Sequence, residues 1–151
     1  MAGSLPGAFA AQGHDVKVIL PLYEGIGEKW RKEMTFLKHF NVSLSWRHVY
    51  CGIFELERDG VTYWFVDNEY YFKRKGTYGY LDDGERFAFF SKAVLDMVSI
   101  TKFVPNIIHA NDWQSALTVI YLKTMYNNND NYRNTKALFT IHNIEYQGVY
   151  G

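Results

Sequence analysis

The sequence predicts an α/β fold built on a parallel sheet, and three observations carry that expectation. Val104-Pro105-Asn106-Ile107-Ile108 and Lys136-Ala137-Leu138-Phe139-Thr140-Ile141 are short apolar runs without polar alternation. Such runs read as strands buried on both faces, as in a parallel sheet. A helical stretch from Asp112 to about Tyr126 lies between them, so the order strand–helix–strand is a βαβ unit, right-handed by rule. Each run also stops on the same kind of polar cluster. The first meets His109-Ala110-Asn111-Asp112-Trp113-Gln114, and the second meets His142-Asn143-Ile144-Glu145-Tyr146-Gln147-Gly148. Ligands in open α/β sheets bind beyond the carboxyl ends of the strands, so these clusters imply one crevice lined with hydrogen-bonding groups.

The remaining elements follow in order. Gly3 to Gln12 reads as a short helix: Ser4 can cap it, Pro6 suits its first turn, and Gly13 ends it. Asp15 to Leu20 alternates and then turns apolar, which predicts a strand. Tyr23 to Lys38 reads as loop with a short helix that puts Trp30, Met34 and Leu37 on one side. Asn41 to Trp46 alternates as a strand. Val49 to Glu57 and Val61 to Val66 flank Arg58-Asp59-Gly60, and Asp-Gly between β-rich runs signals a hairpin. Asn68 to Leu81 is a Tyr- and Gly-rich loop with a Lys73-Arg74-Lys75 triplet, read as solvated surface. Asp82 to Phe103 carries Phe87, Phe90, Val94, Leu95 and Val98 at helical spacing, a helix of about 33 Å. Asn127 to Asn134 is an Asn-rich loop. A helix opens the chain with no strand before it, and a few loop residues follow the last strand. The expectation is a first strand missing and a piece of a larger protein.

At 151 residues the chain has the length of one domain, and 48% apolar residues suffice for a core. Sixteen basic residues balance sixteen acidic ones, against the basic excess of a nucleic-acid binder. No apolar stretch approaches the roughly 20 residues of a membrane span. The one cysteine, Cys51, forms no internal disulfide, which suits a reducing cytoplasm. Aromatic residues reach 18%, as core rings or as platforms for sugar C–H faces.

His109 and Asp112 stand one helical turn apart at a strand-to-helix junction, where Asp112 could equally cap the following helix. His109 could equally be a buried, satisfied histidine. His142 and Asn143 follow the second strand, where no helix starts at once, so capping explains them less well. His109, Asp112 and His142 could in principle ligate a metal, yet no His-x-x-x-His or paired-Cys spacing accompanies them, and none is expected. Gly-x-Gly-x-x-Gly is absent after every strand, so no nicotinamide or flavin cofactor is expected. Gly-x-Ser-x-Gly is absent too, which argues against a serine hydrolase.

Several ordered segments carry a family resemblance. Gly3-Ser4-Leu5-Pro6, Gly13-His14-Asp15-Val16, Leu20-Pro21-Leu22-Tyr23, Asp83-Gly84-Glu85-Arg86-Phe87 and the two polar clusters resemble the bacterial glycogen synthase and plant starch synthase family. The similarity spans nearly all the chain. It implies part of a retaining GT-B glucosyltransferase, in which two Rossmann-like domains face each other across a cleft. Such enzymes move glucose from ADP-glucose to the 4-OH end of an α-1,4-glucan without a metal or cofactor. Residues 1–151 would be part of the N-terminal, acceptor-side domain, with an inserted β-hairpin and without the C-terminal nucleotide-binding domain. By motif, His142 matches the histidine that contacts the transferring glucose, and Asn143 is its neighbour. Asp112 and Gln114 match positions near the acceptor and the transferred sugar, Tyr78 resembles an acceptor-side tyrosine, and His109 joins the substrate-binding set.

The chain departs from the family pattern in places. The Lys-x-Gly-Gly loop that touches the diphosphate is absent. Gln114 stands where several members have His, and Asn111 where several have His or Cys. Three expectations follow. Asp15–Leu20, Asn106–Ala110 and Ala137–Ile141 should be parallel neighbours in one sheet, with His109 and His142 at the same edge. The chain alone should be marginally stable or self-associate, and it should transfer no glucose. Another GT-B transferase and a non-catalytic glucan-binding module are the rival readings.

Overall fold

The structure is a computed structural model, and it describes residues 3–150. It contains two compact units, Met1–Thr77 and Tyr78–Gly151.

The first unit runs α1 (Leu5–Ala11), β1 (Lys17–Pro21), α2 (Glu28–Glu33), β2 (Thr35–Leu44), β3 (Arg47–Arg58), β4 (Val61–Asp67) and α3 (Glu69–Phe72). Its sheet has the order β1-β4-β3-β2, with β1 parallel to β4 and the other pairs antiparallel. The Asp-Gly signal holds: Asp59 and Gly60 both take positive φ, +52° and +75°, as a type I′ hairpin turn requires. Val42, Cys51, Ile53, Val66 and Phe72 are fully buried.

Other local expectations change. β2 begins at Thr35, so Met34 ends α2 in extended backbone and Leu37 lies in a strand; Trp30, Met34 and Leu37 share no helix face. A second hairpin turn at Ser45-Trp46, with Ser45 at φ +56°, joins β2 to β3. The Asn68–Leu81 segment is not all loop: Asn68 caps α3 by accepting from the Tyr71 N–H at 3.1 Å, which buries Tyr71 and Phe72. Ser4 makes no side-chain cap bond to α1, whereas Gly13 ends that helix at φ +88° as expected.

The second unit comprises α4 (Asp83–Thr101), β5 (Ile107–Asn111), α5 (Trp113–Thr124), one 3₁₀ turn (Asp130–Tyr132) and β6 (Lys136–Thr140). β5 and β6 are parallel, in register from Ile107↔Lys136 to Asn111↔Thr140. Leu95 and Val98 of α4, Leu122 of α5, Tyr126 and Tyr132 form the core, with Ile108, Tyr121 and Ala137 packed against it. Two phenols tie the Asn-rich loop to α4. The Tyr132 hydroxyl donates to the Leu95 carbonyl, and the Tyr126 hydroxyl donates to the Asp96 carboxylate while accepting from Lys92 Nζ at 2.8 Å. Burial, reinforced for Tyr126 by Asp96, pushes both phenols well above the ordinary tyrosine pKa.

The expectation of one parallel sheet is corrected. β1 pairs with β4, and β5 with β6 in a separate ladder, so His109 and His142 share an edge with each other but not with β1. The meander β2-β3-β4 returns its last strand parallel to β1, and the apolar β4 (Val-Thr-Tyr-Trp-Phe-Val) supplies β1 with a partner. The strands of the second pair are not buried on both faces either: Ile107, Leu138 and Phe139 are exposed. No helix among the described residues is long and apolar enough to cross a membrane.

Candidate functional site

Parallel register sets the site. With Asn111 opposite Thr140, β5 and β6 end side by side, and the polar clusters that follow them are brought together. Asp112 N–H donates to the Thr140 carbonyl at 2.9 Å, extending the ladder by one bond. The chain then turns sharply into α5, with Asp112 at φ +59° and ψ 176°. That backbone is favoured by glycine, and holding another residue there costs on the order of 1–3 kcal/mol. Ser115 Oγ stabilises the turn by donating to the Asn111 carbonyl at 2.7 Å.

Asp112 stands at the N-cap position but makes no side-chain cap bond to α5. Its Oδ1 instead accepts the backbone N–H of His142 at 2.7 Å, which joins the two clusters. The His142 ring closes the link from the other side, with Nε2 3.0 Å from Asn111 Oδ1. Asn111 Nδ2 donates to the His109 carbonyl at 3.3 Å, which orients the amide so that its oxygen faces His142. This bond is the one made by the tautomer that carries its hydrogen on Nε2 and leaves a lone pair on Nδ1. His109 Nε2 meets the Thr140 hydroxyl at 2.7 Å, so this histidine bridges the strand ends.

The other expected residues stand around this centre. Asn143 Oδ1 accepts the Glu145 N–H at 3.0 Å, shaping the loop and leaving its amide N–H groups. Gln114 is half-buried in the first turn of α5. Tyr78 is 51% exposed and meets the Trp113 ring edge-on at 6.3 Å. Among the described residues no three His, Cys, Asp or Glu side chains converge as metal ligands.

Trp113 and Asn111 are structural participants that the sequence did not single out. Trp113 is packed by Tyr78, Phe87 at 5.0 Å and Tyr150 at 5.6 Å. Gly148, at φ +62°, lies so close that an added Cβ would stand 2.5 Å from the indole. Asn111 was noted in the sequence only as a departure from family pattern, yet its amide fixes the His142 ring. The strand register that gives it this role is not written in either strand alone.

An α/β unit with a polar cluster at the ends of two parallel strands defines the class of protein; sequence comparison defines the family. The profile of the starch synthase catalytic domain family matches residues 1–151, and the chain belongs to that family. A glycogen synthase of Clostridium botulinum (strain Alaska E43 / Type E3) is 51% identical over 151 residues, 99% of this chain and 32% of its own length. A glycogen synthase of Desulforamulus reducens is 49% identical over 148 residues, covering 98% of this chain and 31% of that protein. The catalytic domain of starch synthase IV from Arabidopsis thaliana, solved bound to ADP and acarbose, superposes with a TM-score of 0.86 at 28% identity, covering 95% of this chain and 30% of that one. The mixed α/β architecture with parallel elements thus matches a starch synthase catalytic domain. The chain spans about a third of the length of the curated relatives it matches.

Proposed function

We propose that residues 1–151 are the acceptor-side part of a starch/glycogen synthase catalytic domain, within a protein that transfers glucose from ADP-glucose to the 4-OH end of an α-1,4-glucan with retention. Family membership, the glycogen synthase relatives and the ADP- and acarbose-bound neighbour support this reading. The observation that carries it is the link from Asp112 to His142 to Asn111 at the ends of β5 and β6.

His142 and Asp112 are the catalytic pair in this reading. His142 Nδ1 accepts from a hydroxyl of the transferring glucose, held in place by Asn111. Asp112 spends one oxygen on the His142 N–H and offers the other to a sugar hydroxyl. Asn143 and Gln114 supply amide donors, Tyr78 an exposed ring and hydroxyl, and His109 the Nδ1 opposite its bond to Thr140. Glycosyl transfer develops positive charge on the sugar ring and negative charge on the departing diphosphate. Neutral and anionic groups fixed at strand ends orient the sugar, which removes part of the entropic barrier. They do not neutralise a diphosphate, so in this reading the cationic groups for it come from the family's Lys-x-Gly-Gly loop and from the C-terminal nucleotide-binding domain of the whole protein. The reading needs no metal or cofactor, and it places the protein in the cytoplasm.

The test is glucose incorporation from labelled ADP-glucose into glycogen by the full-length protein. His142→Ala should lower kcat by about 10²–10³, the size of loss of one preorganised group. Near-normal kcat would remove His142 from the site. Competition by UDP-glucose against ADP-glucose checks the donor.

A further inference from the structure

The segment carrying Tyr78 is held by a buried ion pair outside the strand-end cluster. Asp83 and Arg86 lie in the first turn of α4, and their side chains are 1% and 0% exposed. Asp83 Oδ1 accepts from Arg86 Nη1. Its Oδ2 accepts the N–H of Gly79 at 2.5 Å and of Tyr80 at 3.1 Å, the two amides that follow Tyr78. The Arg86 guanidinium also lies over the Tyr80 ring, 5.0 Å from its centroid. A buried ion pair of this kind adds little stability over an apolar pair of the same size, because desolvation offsets most of the attraction. What it supplies here is directional: one carboxylate fixes two consecutive amides in a segment where Gly79 stands at φ +105°.

We propose that Asp83 and Arg86 are positioning residues for glucan binding, holding Tyr78 in its place beside Trp113, next in sequence to Asp112. The inference rests on the reading of Tyr78 as an acceptor-side contact. A role confined to starting α4 would change stability alone; a positioning role changes acceptor affinity.

The experiment uses the full-length protein with glycogen as acceptor and ADP-glucose as donor. Asp83→Asn should raise the KM for glycogen about tenfold, leaving kcat at saturating glycogen within about twofold and the KM for ADP-glucose unmoved. Tyr78→Ala should show the same split. The double variant should be no worse than Tyr78→Ala alone, because both changes act through one group. Hydrogen exchange at the Gly79 and Tyr80 amides should speed up in Asp83→Asn with no substrate present. Where Asp83→Asn does not fold, Arg86→Lys, which keeps the charge, should show a smaller rise in the glycogen KM and faster exchange. An unchanged glycogen KM in folded Asp83→Asn or Arg86→Lys, unchanged amide exchange, or an additive double variant each overturns the proposal. So does a normal glycogen KM in Tyr78→Ala. Failure of the functional reading looks different: the wild-type protein would transfer no glucose at all, and the exchange measurement would then decide whether the pair holds the segment.

Discussion

At the scale of single residues, Asp112 combines a strained backbone with a bond to the His142 N–H. Asp112→Ala keeps the strain and loses the bond, while Asp112→Gly loses the bond and relieves the strain. Glycine ordinarily costs about 0.5–1 kcal/mol relative to alanine in regular elements. The order should invert here, with the glycine variant melting above the alanine variant in a thermal scan; the usual order would remove strain from the account. Gly148 gives a second expectation. A Cβ there meets Trp113 at 2.5 Å on a backbone at φ +62°, so Gly148→Ala should displace the loop or the indole and destabilise by about 1–3 kcal/mol, read by denaturant titration. Gln114→His should be mild in activity assays of the full-length protein, because the family resemblance places either residue there. Of these features, the polar clusters were legible in the sequence, since His142 and Asp112 follow recognisable apolar runs. The Asp112 conformation was not. Asp before a helix signals a cap, and only the strand register reveals that the carboxylate turns to His142 instead.

At the scale of elements, α4 and the Asn-rich loop depend on phenols that hold their protons. Burial raises Tyr126 and Tyr132 above the ordinary tyrosine pKa, so the folded form binds protons that the unfolded form releases. Their contribution is fully present below the unfolded value of about 10 and is lost as pH climbs beyond it. Melting temperature should therefore fall above about pH 10, and Tyr126→Phe should show a shallower fall in the same range. At neutral pH that variant should lose about 1 kcal/mol, because the partly buried Asp96 carboxylate loses one hydrogen-bond donor and keeps only Lys92. An identical alkaline slope in wild type and variant would contradict this. The Asp59-Gly60 hairpin and the α4 periodicity were readable because they are local patterns. The start of β2 and the pairing of β1 with β4 were not, because Thr35–Phe40 lacks a clean period and strand partners are chosen by tertiary packing.

At the scale of the molecule, β5 and β6 form a two-stranded ladder with Ile107, Leu138, Phe139 and Ile141 exposed. Unpaired edges flanked by apolar side chains favour pairing between copies. The 151-residue chain alone should therefore self-associate, seen as a concentration-dependent mass in light scattering; a monomer with a sharp, concentration-independent melt would refute this. The same chain should transfer no detectable glucose from ADP-glucose, since His109, Asp112, Gln114, His142 and Asn143 include no strong cation for the diphosphate. The division of contacts has a further consequence for how the protein is made. Each unit draws on one uninterrupted stretch of sequence, and every ladder closes within its own stretch. On the ribosome the β1-β4-β3-β2 sheet has all four strands available before Tyr78 is translated, and N-terminal units ordinarily fold first. The half that bears the catalytic candidates is thus synthesised after a neighbour that can already hold its own sheet. A stalled nascent chain ending soon after residue 77 has cleared the exit tunnel should resist protease over β1–β4.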